Sequence, residues 1–337
     1  MSYKNENMKM IELHENGLDI QFRIRENGVV ELADFSSQEV KKAVMEPKED
    51  ICYPAVEIHR SGTGSLNMHA YKNNINQSSV DFVYENHELK AQAGGKELEI
   101  VMISPEKLKA VYHMRLFDGV PAVQTWTEII NEGSEDQGLT YVSSFMYQGI
   151  SRGGEKPYYK KTDIYVPFNS WCCEAQWQKY DAETLNLNGM VVDGFNHQGY
   201  GLNRYCYSGK GTWSTCEYLP MGIAEDRETG ETYIFQVESS GQWLIEYGSA
   251  QGGNLYLTVS GATEQEHGWY KNLKPGESFT TVPAGAAVVK GGLNPAVAAL
   301  TRYRRKVRRA NPDDEKLNVV FNDYMNCLMG DPTTERE

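Results

Sequence analysis

Short runs of alternating apolar and polar residues, separated by turns that contain glycine, extend from residue 10 to about residue 292. A period of two places every second side chain on the same face of a β-strand, and the glycine turns favour antiparallel hairpins. The clearest runs are GLDIQFRIREN (17–27), SSVDFVYEN (78–86), HELKAQAGGKELEIVMIS (87–104), KAVYHMRLFD (109–118), AVQTWTEIINEG (122–133), ETYIFQVESSGQWLIEYG (231–248) and GNLYLTVSG (253–261). The pattern predicts a mainly β chain that forms a large antiparallel sandwich.

A helical pattern replaces the alternation near residue 292. The stretch LNPAVAALTRYRRKVRR (293–309) has Asn294 as a helix cap and Pro295 at the first helical position. The residues at helical spacing, expected on its buried face, are Val297, Leu300, Tyr303 or Arg304, and Val307. Cations are favoured at a helix C-terminus, so the basic residues at its end are expected to be solvated rather than to bind nucleic acid.

The last twenty residues contain a second change of pattern. The continuous apolar run LNVVFND (317–323) predicts a buried parallel strand, and Pro332 after Asp331 indicates the start of a helix. We therefore expect a β domain over residues 1–292, a connecting helix and linker over residues 293–315, and the first strand of a further unit in residues 316–337.

Composition excludes several classes of function. A net charge of −13 disfavours general binding to nucleic acid and suits a neutral ligand such as a sugar. No run resembles a signal peptide or a membrane span, which predicts a cytoplasmic chain without a membrane partner, and the six cysteines are expected as reduced thiols. The histidines are scattered singly and no Cys-x-x-Cys pair occurs, so we expect neither a metal site nor a cofactor.

Residues 151–218 are rich in aromatic residues, glycine and asparagine, and show little periodicity. Long irregular segments in compact proteins are often functional. Trp171, Trp177 and Trp213 in this segment offer flat faces on which sugar rings stack; the alternative is that they fill a core or an interface. No phosphate-binding loop, zinc-protease motif or nucleophile elbow is present, and the 46 carboxylates single out no catalytic pair.

Several stretches carry a resemblance to a known family. They are FNSWCCEAQWQKYDAETLNLNG (168–189), GTWSTCEYLPMGIAED (211–226) and VVFNDYMNCLMGDPTTE (319–335), with weaker similarity over residues 113–145 and 269–317. Together they resemble bacterial α-galactosidases of glycoside hydrolase family 36, from about residue 10 to residue 337. The resemblance implies an N-terminal β-supersandwich followed by a (β/α)₈ barrel, of which LNVVFND is the first strand.

The resemblance also implies a catalytic mechanism and the location of the active site. Members of the family are retaining glycosidases whose two catalytic aspartates lie on later barrel strands, so no catalytic residue is carried over to this sequence. The end of the first barrel strand lines the galactose pocket in the family. The match here is Asn322-Asp323-Tyr324, with Tyr324 in the aromatic position, and Asp323 and Asn326 are neighbours that are expected to face the same pocket. The alternative is that Tyr324 only packs against neighbouring barrel strands. A chain that stops at this truncated barrel is expected to lack turnover.

Three hypotheses follow from the sequence. The first is the N-terminal sandwich portion of an α-galactosidase, with a galactoside ligand and the catalytic barrel as its partners. The second is a stand-alone carbohydrate-binding sandwich that uses residues 168–218, above all Trp171 and Trp213. The third is an enzyme with a site inside the sandwich, for which no set of residues is evident. In some relatives an Asp-Phe-Arg triplet reaches the active site of a neighbouring subunit. Residues 51–73, where the triplet would lie, do not contain it, so the sequence does not decide whether the chain forms a homo-oligomer.

Overall fold

A computed structural model describes residues 8–47, 51–64, 72–188, 203–250, 254–316 and 318–320. The chain divides into two compact units, Met1–Tyr303 and Arg304–Glu337. The strands of the described residues are β1 (Lys9–Glu15), β2 (Leu18–Ile24), β3 (Val30–Ser37), β4 (Ile58–Arg60), β5 (Val83–Gln92), β6 (Gly95–Ile103), β7 (Leu108–Phe117), β8 (Val120–Asn131), β9 (Gln137–Ile150), β10 (Thr162–Ser170), β11 (Cys173–Asp181), β12 (Arg204–Gly209), β13 (Met221–Asp226), β14 (Glu231–Val237), β15 (Trp243–Ala250), β16 (Asn254–Ser260), β17 (Lys271–Leu273), β18 (Ser278–Thr280) and β19 (Ala284–Lys290). The helices are α1 (Gln77–Val80), α2 (Tyr158–Lys161), α3 (Glu264–His267), α4 (Leu293–Val307) and α5 (Pro312–Lys316).

The strands of the first unit form three antiparallel sheets. One sheet has the order β1-β2-β3. A ten-stranded sheet has the order β11-β10-β13-β14-β19-β8-β7-β6-β5, with β18 also paired to β8. A six-stranded sheet has the order β12-β15-β16-β9-β17, with β4 also paired to β9. The predicted mainly β, antiparallel fold is therefore confirmed.

The three sheets share one apolar core, because aromatic side chains from each sheet contact the others. Phe22 of β2 lies edge-on to Tyr112 of β7, with ring centroids 5.9 Å apart. Phe35 of β3 contacts Phe145 of β9 at 5.4 Å. The same core continues between β14 and β15, whose aromatic rings lie 5.9 Å apart. Burial of large aromatic faces from all three sheets makes this a sandwich rather than separate hairpins.

The tight turns between neighbouring strands follow the sequence signals. Gly94 lies in the two-residue turn between β5 and β6, and Gly119 lies in the turn between β7 and β8. Both have positive φ angles, of 75° and 73°, which glycine adopts without steric cost. These turns fix the register of β5 against β6 and of β7 against β8.

Two expectations about local structure are wrong. The run predicted as one strand over residues 78–86 begins as the short helix α1, which Asn76 caps by accepting a hydrogen bond from the Ser78 amide. The segment 151–218, predicted to be irregular, contains β10, β11 and β12. Strand β11 is exposed on both faces for most of its length, so apolar and polar residues do not alternate in it.

Helix α4 begins at Leu293, one residue before the predicted cap. Its buried residues are Ala296, Ala299, Leu300 and Tyr303, and Val297 is 43% exposed instead of buried as predicted. The predicted strand over residues 317–323 falls largely outside the described residues. Residues 318–320 are described and lie in no strand. The boundaries at residues 292 and 315 stay a prediction.

Candidate functional site

Trp171 and Trp213 are the two exposed tryptophans among the six of this chain, all of which the structure describes. The side chain of Trp171 is 87% exposed and that of Trp213 is 71% exposed. Exposed side chains of this size are uncommon on a folded surface and often mark a binding site. The other predicted site residues, Asp323, Tyr324 and Asn326, lie outside the described residues.

The fold brings the two tryptophan-bearing segments together. Trp171 lies in the turn that joins β10 to β11, next to Cys172, which has a φ angle of 61°. Trp213 lies in the loop between β12 and β13. Asn169, at the end of β10, donates its side-chain amide to the Thr215 carbonyl at 2.6 Å and its backbone amide to the Glu217 carbonyl at 2.8 Å. We call the surface that carries both side chains the tryptophan tip.

The other aromatic residues that the structure describes in segment 168–218 are buried or partly buried, Trp177 among them. Tyr207 is buried and lies edge-on to Trp243, with ring centroids 5.9 Å apart. Phe168 packs on Tyr218 at 5.2 Å. The packed rings support the fold, as the second alternative expects. Trp171 and Trp213 are exposed, and their role as stacking faces for a sugar stays a prediction.

Three ionisable side chains of β12 and the following loop, Tyr205, Cys206 and Tyr218, are held in the protonated form at physiological pH. Burial raises the pKa of Tyr205 to about 12 and that of Cys206 to about 11. Burial also raises the pKa of Tyr218. A protonated thiol is a poor nucleophile, so Cys206 is not activated for covalent catalysis. The exposed flat faces of Trp171 and Trp213 suit stacking of a sugar ring.

A cavity of about 460 Å³ lies between residues 40–46 and residues 152–154. Two of its three cationic groups are already neutralised, and the third, Lys41, belongs to a lining that also contains Glu46. Lys42 forms an ion pair with the buried Glu231, and Arg152 pairs with Asp34 at 2.7 Å. The cavity therefore offers little net attraction for an anion, and its described lining includes no aromatic face for a sugar.

Four glutamates are completely buried in the sandwich and act as acceptors for backbone amides. These are Glu31, Glu57, Glu231 and Glu246. Glu31 accepts from the Tyr53 amide at 2.9 Å, and Glu57 accepts from the Asn76 amide at 3.2 Å. Glu231 accepts from the Ser37 amide at 3.0 Å, and Glu246 accepts from the Asn73 amide at 2.8 Å. Buried charges require such partners, and these carboxylates hold chain segments in place. Their role is structural rather than catalytic.

The described residues include one group with metal-ligand chemistry, on β6 and β7. It consists of Glu97, Glu99 and His113, whose ligand atoms all lie within 4.8 Å of one another. The sequence analysis missed this group because the residues become neighbours only through the pairing of the two strands. Cys52, Cys172, Cys173, Cys206 and Cys216 are free thiols, and Cys327 lies outside the described residues. Over the described ranges, no helix has the length and apolarity that a membrane span requires.

No protein-family model matches this chain, and no curated protein matches it in sequence. The fold is nevertheless shared with glycoside hydrolases of known structure. The family 36 α-galactosidase AgaB of Geobacillus stearothermophilus superposes with a TM-score of 0.70 at 15% identity, over 96% of this chain and 46% of its own. A variant of AgaA from the same organism, in complex with stachyose, gives 0.68 at 15% identity over 91% and 44%.

A third structure shows the same relation. The α-galactosidase of Lactobacillus brevis superposes with a TM-score of 0.64 at 14% identity, over 90% of this chain and 42% of its own. The resemblance to family 36 α-galactosidases predicted from the sequence is thus confirmed at the level of the fold. This chain spans less than half the length of the enzymes that it matches.

Proposed function

We propose that these 337 residues are the N-terminal portion of a retaining α-galactosidase, an enzyme that hydrolyses terminal α-D-galactosides. The observation that supports the proposal is the match to AgaB, which covers 96% of this chain but only 46% of the enzyme. An AgaA variant has been crystallised with raffinose, which agrees with an α-galactoside as the ligand.

On this proposal the sandwich supports catalysis without performing it. A retaining glycosidase needs two carboxyl groups about 5 Å apart on either side of the bond that is cleaved. In a (β/α)₈ barrel such groups lie at the C-terminal ends of several strands. The buried glutamates of the sandwich are instead engaged by backbone amides, as for Glu57 and Glu246.

Residues 1–337 are therefore expected to show no hydrolysis of p-nitrophenyl α-D-galactoside, even at high protein concentration and after long incubation. The rate should equal that of a heat-inactivated sample, with p-nitrophenyl α-D-glucoside as a control for non-specific cleavage. Turnover that saturates with the galactoside, and that heat abolishes, would place a catalytic site within these residues and contradict the proposal.

A second candidate function, direct carbohydrate binding, is favoured by the exposure of Trp171 and Trp213. Both functions predict an inactive chain, so binding has to be measured separately. Stacking of a sugar on one exposed aromatic ring contributes about 1 kcal/mol to binding. Two rings together with a few hydrogen bonds give a total of about 4 kcal/mol, which corresponds to a dissociation constant of about 1 mM.

Methyl α-D-galactoside is expected to shift the indole N–H signals of Trp171 and Trp213 in NMR spectra of the chain. Trp171→Ala and Trp213→Ala should each weaken binding about 5-fold, because each removes one stacking face. Tyr270→Ala is the matched control, since Tyr270 is 52% exposed and lies near β17, away from the tip in sequence. Unchanged affinity in both tryptophan variants, or the absence of shifts in the parent chain at saturating sugar, would rule out binding at the tip.

A further inference from the structure

Glu97, Glu99 and His113 lie on the face of the ten-stranded sheet that points away from the core. Leu98 and Ile100, which alternate with the two glutamates on β6, are completely buried. Glu99 is the direct cross-strand partner of His113 on β7. The His113 Nδ1 atom is 3.1 Å from Glu97 Oε1 and 3.8 Å from Glu99 Oε1. Three ligand atoms from two paired strands thus converge on one point.

The second oxygen of each carboxylate is held by another donor. The Gln92 side-chain amide donates to Glu97 Oε2 at 2.6 Å, and the Lys90 ammonium group donates to Glu99 Oε2 at 2.5 Å. Both Oε1 atoms are thereby turned towards the imidazole. In metal sites, ligating carboxylates are commonly oriented by such outer hydrogen bonds, which leave the inner oxygen for the ion.

The imidazole is also fixed in orientation. Its ring stacks on Trp126 of β8, with centroids 4.7 Å apart and planes inclined by only 8°. The side chains of Glu97, Glu99 and His113 are 10%, 21% and 13% exposed, so the group is accessible to an ion but shielded from bulk water. Ligands on paired strands whose rotamers are restricted by packing form a preorganised site.

The local charge favours a cation. The carboxylates of Glu97 and Glu99 lie side by side, and one ammonium group, that of Lys90, is paired with Glu99. Arg115 is the cross-strand partner of Glu97, but its guanidinium lies over the Phe117 ring, 5.6 Å from the centroid. Partly buried like charges repel each other, and a divalent ion between them would remove that repulsion.

We propose that Glu97 Oε1, Glu99 Oε1 and His113 Nδ1 bind a divalent transition-metal ion of the Zn²⁺ class. Bonds of about 2.0–2.2 Å to a tetrahedral ion place ligand atoms about 3.4 Å apart. This lies between the 3.1 Å and 3.8 Å that separate His113 Nδ1 from the two carboxylate oxygens. The imidazole binds as the tautomer that carries its proton on Nε2. Three protein ligands leave one position for water or another small ligand. This site is independent of the proposed galactosidase function.

Titration of the chain with Co²⁺ tests the site, since a tetrahedral Co²⁺ ion absorbs visible light and quenches a nearby tryptophan. We expect one saturable site, competition by Zn²⁺ in calorimetry, and quenching that Trp126→Phe largely removes while binding remains. His113→Gln and Glu99→Gln should each weaken binding about 10-fold or more. Glu99→Gln changes a more exposed side chain, so it tests the site even if His113→Gln disturbs the sheet.

His14→Gln is the matched control. His14 also contacts a carboxylate, that of Asp19 at 2.8 Å, but its side chain is 47% exposed. This variant should bind Co²⁺ as tightly as the parent chain. Absence of binding at millimolar Zn²⁺ and Co²⁺ would overturn the proposal. Unchanged affinity in both His113→Gln and Glu99→Gln would do so too, as would a loss of binding in His14→Gln.

Discussion

Raising the pH from about 10 to about 11 is expected to unfold the sandwich in one cooperative step. Nine tyrosines of the described residues are at most 3% exposed, and burial raises the pKa of each phenol above its ordinary value. They are Tyr53, Tyr112, Tyr141, Tyr147, Tyr207, Tyr233, Tyr247, Tyr256 and Tyr303. In the unfolded chain a tyrosine ionises near pH 10.

The sign of the effect follows from proton binding. Above pH 10 the folded state retains phenolic protons that the unfolded state loses, so stability falls as the pH rises. In the unfolded chain a tyrosine goes from about half to about nine-tenths ionised between pH 10 and 11, so each buried tyrosine removes about 1 kcal/mol of stability and nine remove about 9 kcal/mol. Because domains are stable by only about 5–15 kcal/mol, roughly one pH unit is enough to unfold the chain.

One buried cation acts in the opposite direction. Burial lowers the pKa of Lys72 to about 8, against an ordinary value of 10.5. The unfolded state therefore binds more protons between pH 8 and 10.5, and the contribution of Lys72 to stability rises over that window. The gain from this single group is about 3 kcal/mol, which is too small to offset the tyrosines above pH 10.

Absorbance at 295 nm, which reports phenolate, and far-ultraviolet circular dichroism should be followed in the same titration. We expect a steep rise in absorbance that coincides with the loss of β-sheet signal. The control is a titration in 6 M guanidinium chloride, where all tyrosines should ionise gradually around pH 10. Gradual ionisation of all tyrosines in the folded chain, with the circular dichroism unchanged at pH 11.5, would contradict the prediction.

The sequence predicts those strands that have one face in the core. In β8, buried and partly exposed residues alternate along nearly the whole strand, and the predicted run at 122–133 matches it. Strand β11 was missed because it is exposed on both faces. In β3, which none of the predicted runs includes, the opposite holds: all eight residues are buried, including Glu31, whose charge suggests a solvent-facing position. Periodicity reports the contrast between two faces, so it fails where both faces are alike.

The candidate sites could be predicted only in part. The sequence indicated Trp171 and Trp213 as stacking faces, but their exposure depends on turns outside the regular strands. The spacing of Glu97 and Glu99 places both on one face of a strand. Their contact with His113, however, is set by the register between β6 and β7, which the sequence does not specify. A lone histidine in the sequence therefore became a candidate ligand only in the folded chain.

Replacing Glu246 by alanine is expected to lower the free energy of unfolding by about 3–5 kcal/mol. Glu246 accepts hydrogen bonds from the Asn73 backbone amide at 2.8 Å and from its side-chain amide at 2.9 Å. It also pairs with Arg204 at 2.8 Å and accepts the Tyr256 hydroxyl. Alanine leaves these donors in the interior without their acceptor, and that costs more than the lost bonds alone.

Urea denaturation of Glu246→Ala, Glu246→Gln and Glu88→Ala separates this effect from a general loss of charge. Glutamine keeps the shape of the side chain and one acceptor oxygen, so it should lose less than alanine does. Glu88 on β5 is 68% exposed and lies 3.6 Å from Lys90, so its removal should cost less than about 1 kcal/mol. Equal losses for Glu246→Ala and Glu88→Ala would show that Glu246 does not anchor Asn73. A loss for Glu246→Ala that is several kcal/mol larger than the loss for Glu88→Ala would show that the sandwich depends on the buried carboxylate of Glu246, which holds Asn73 in place.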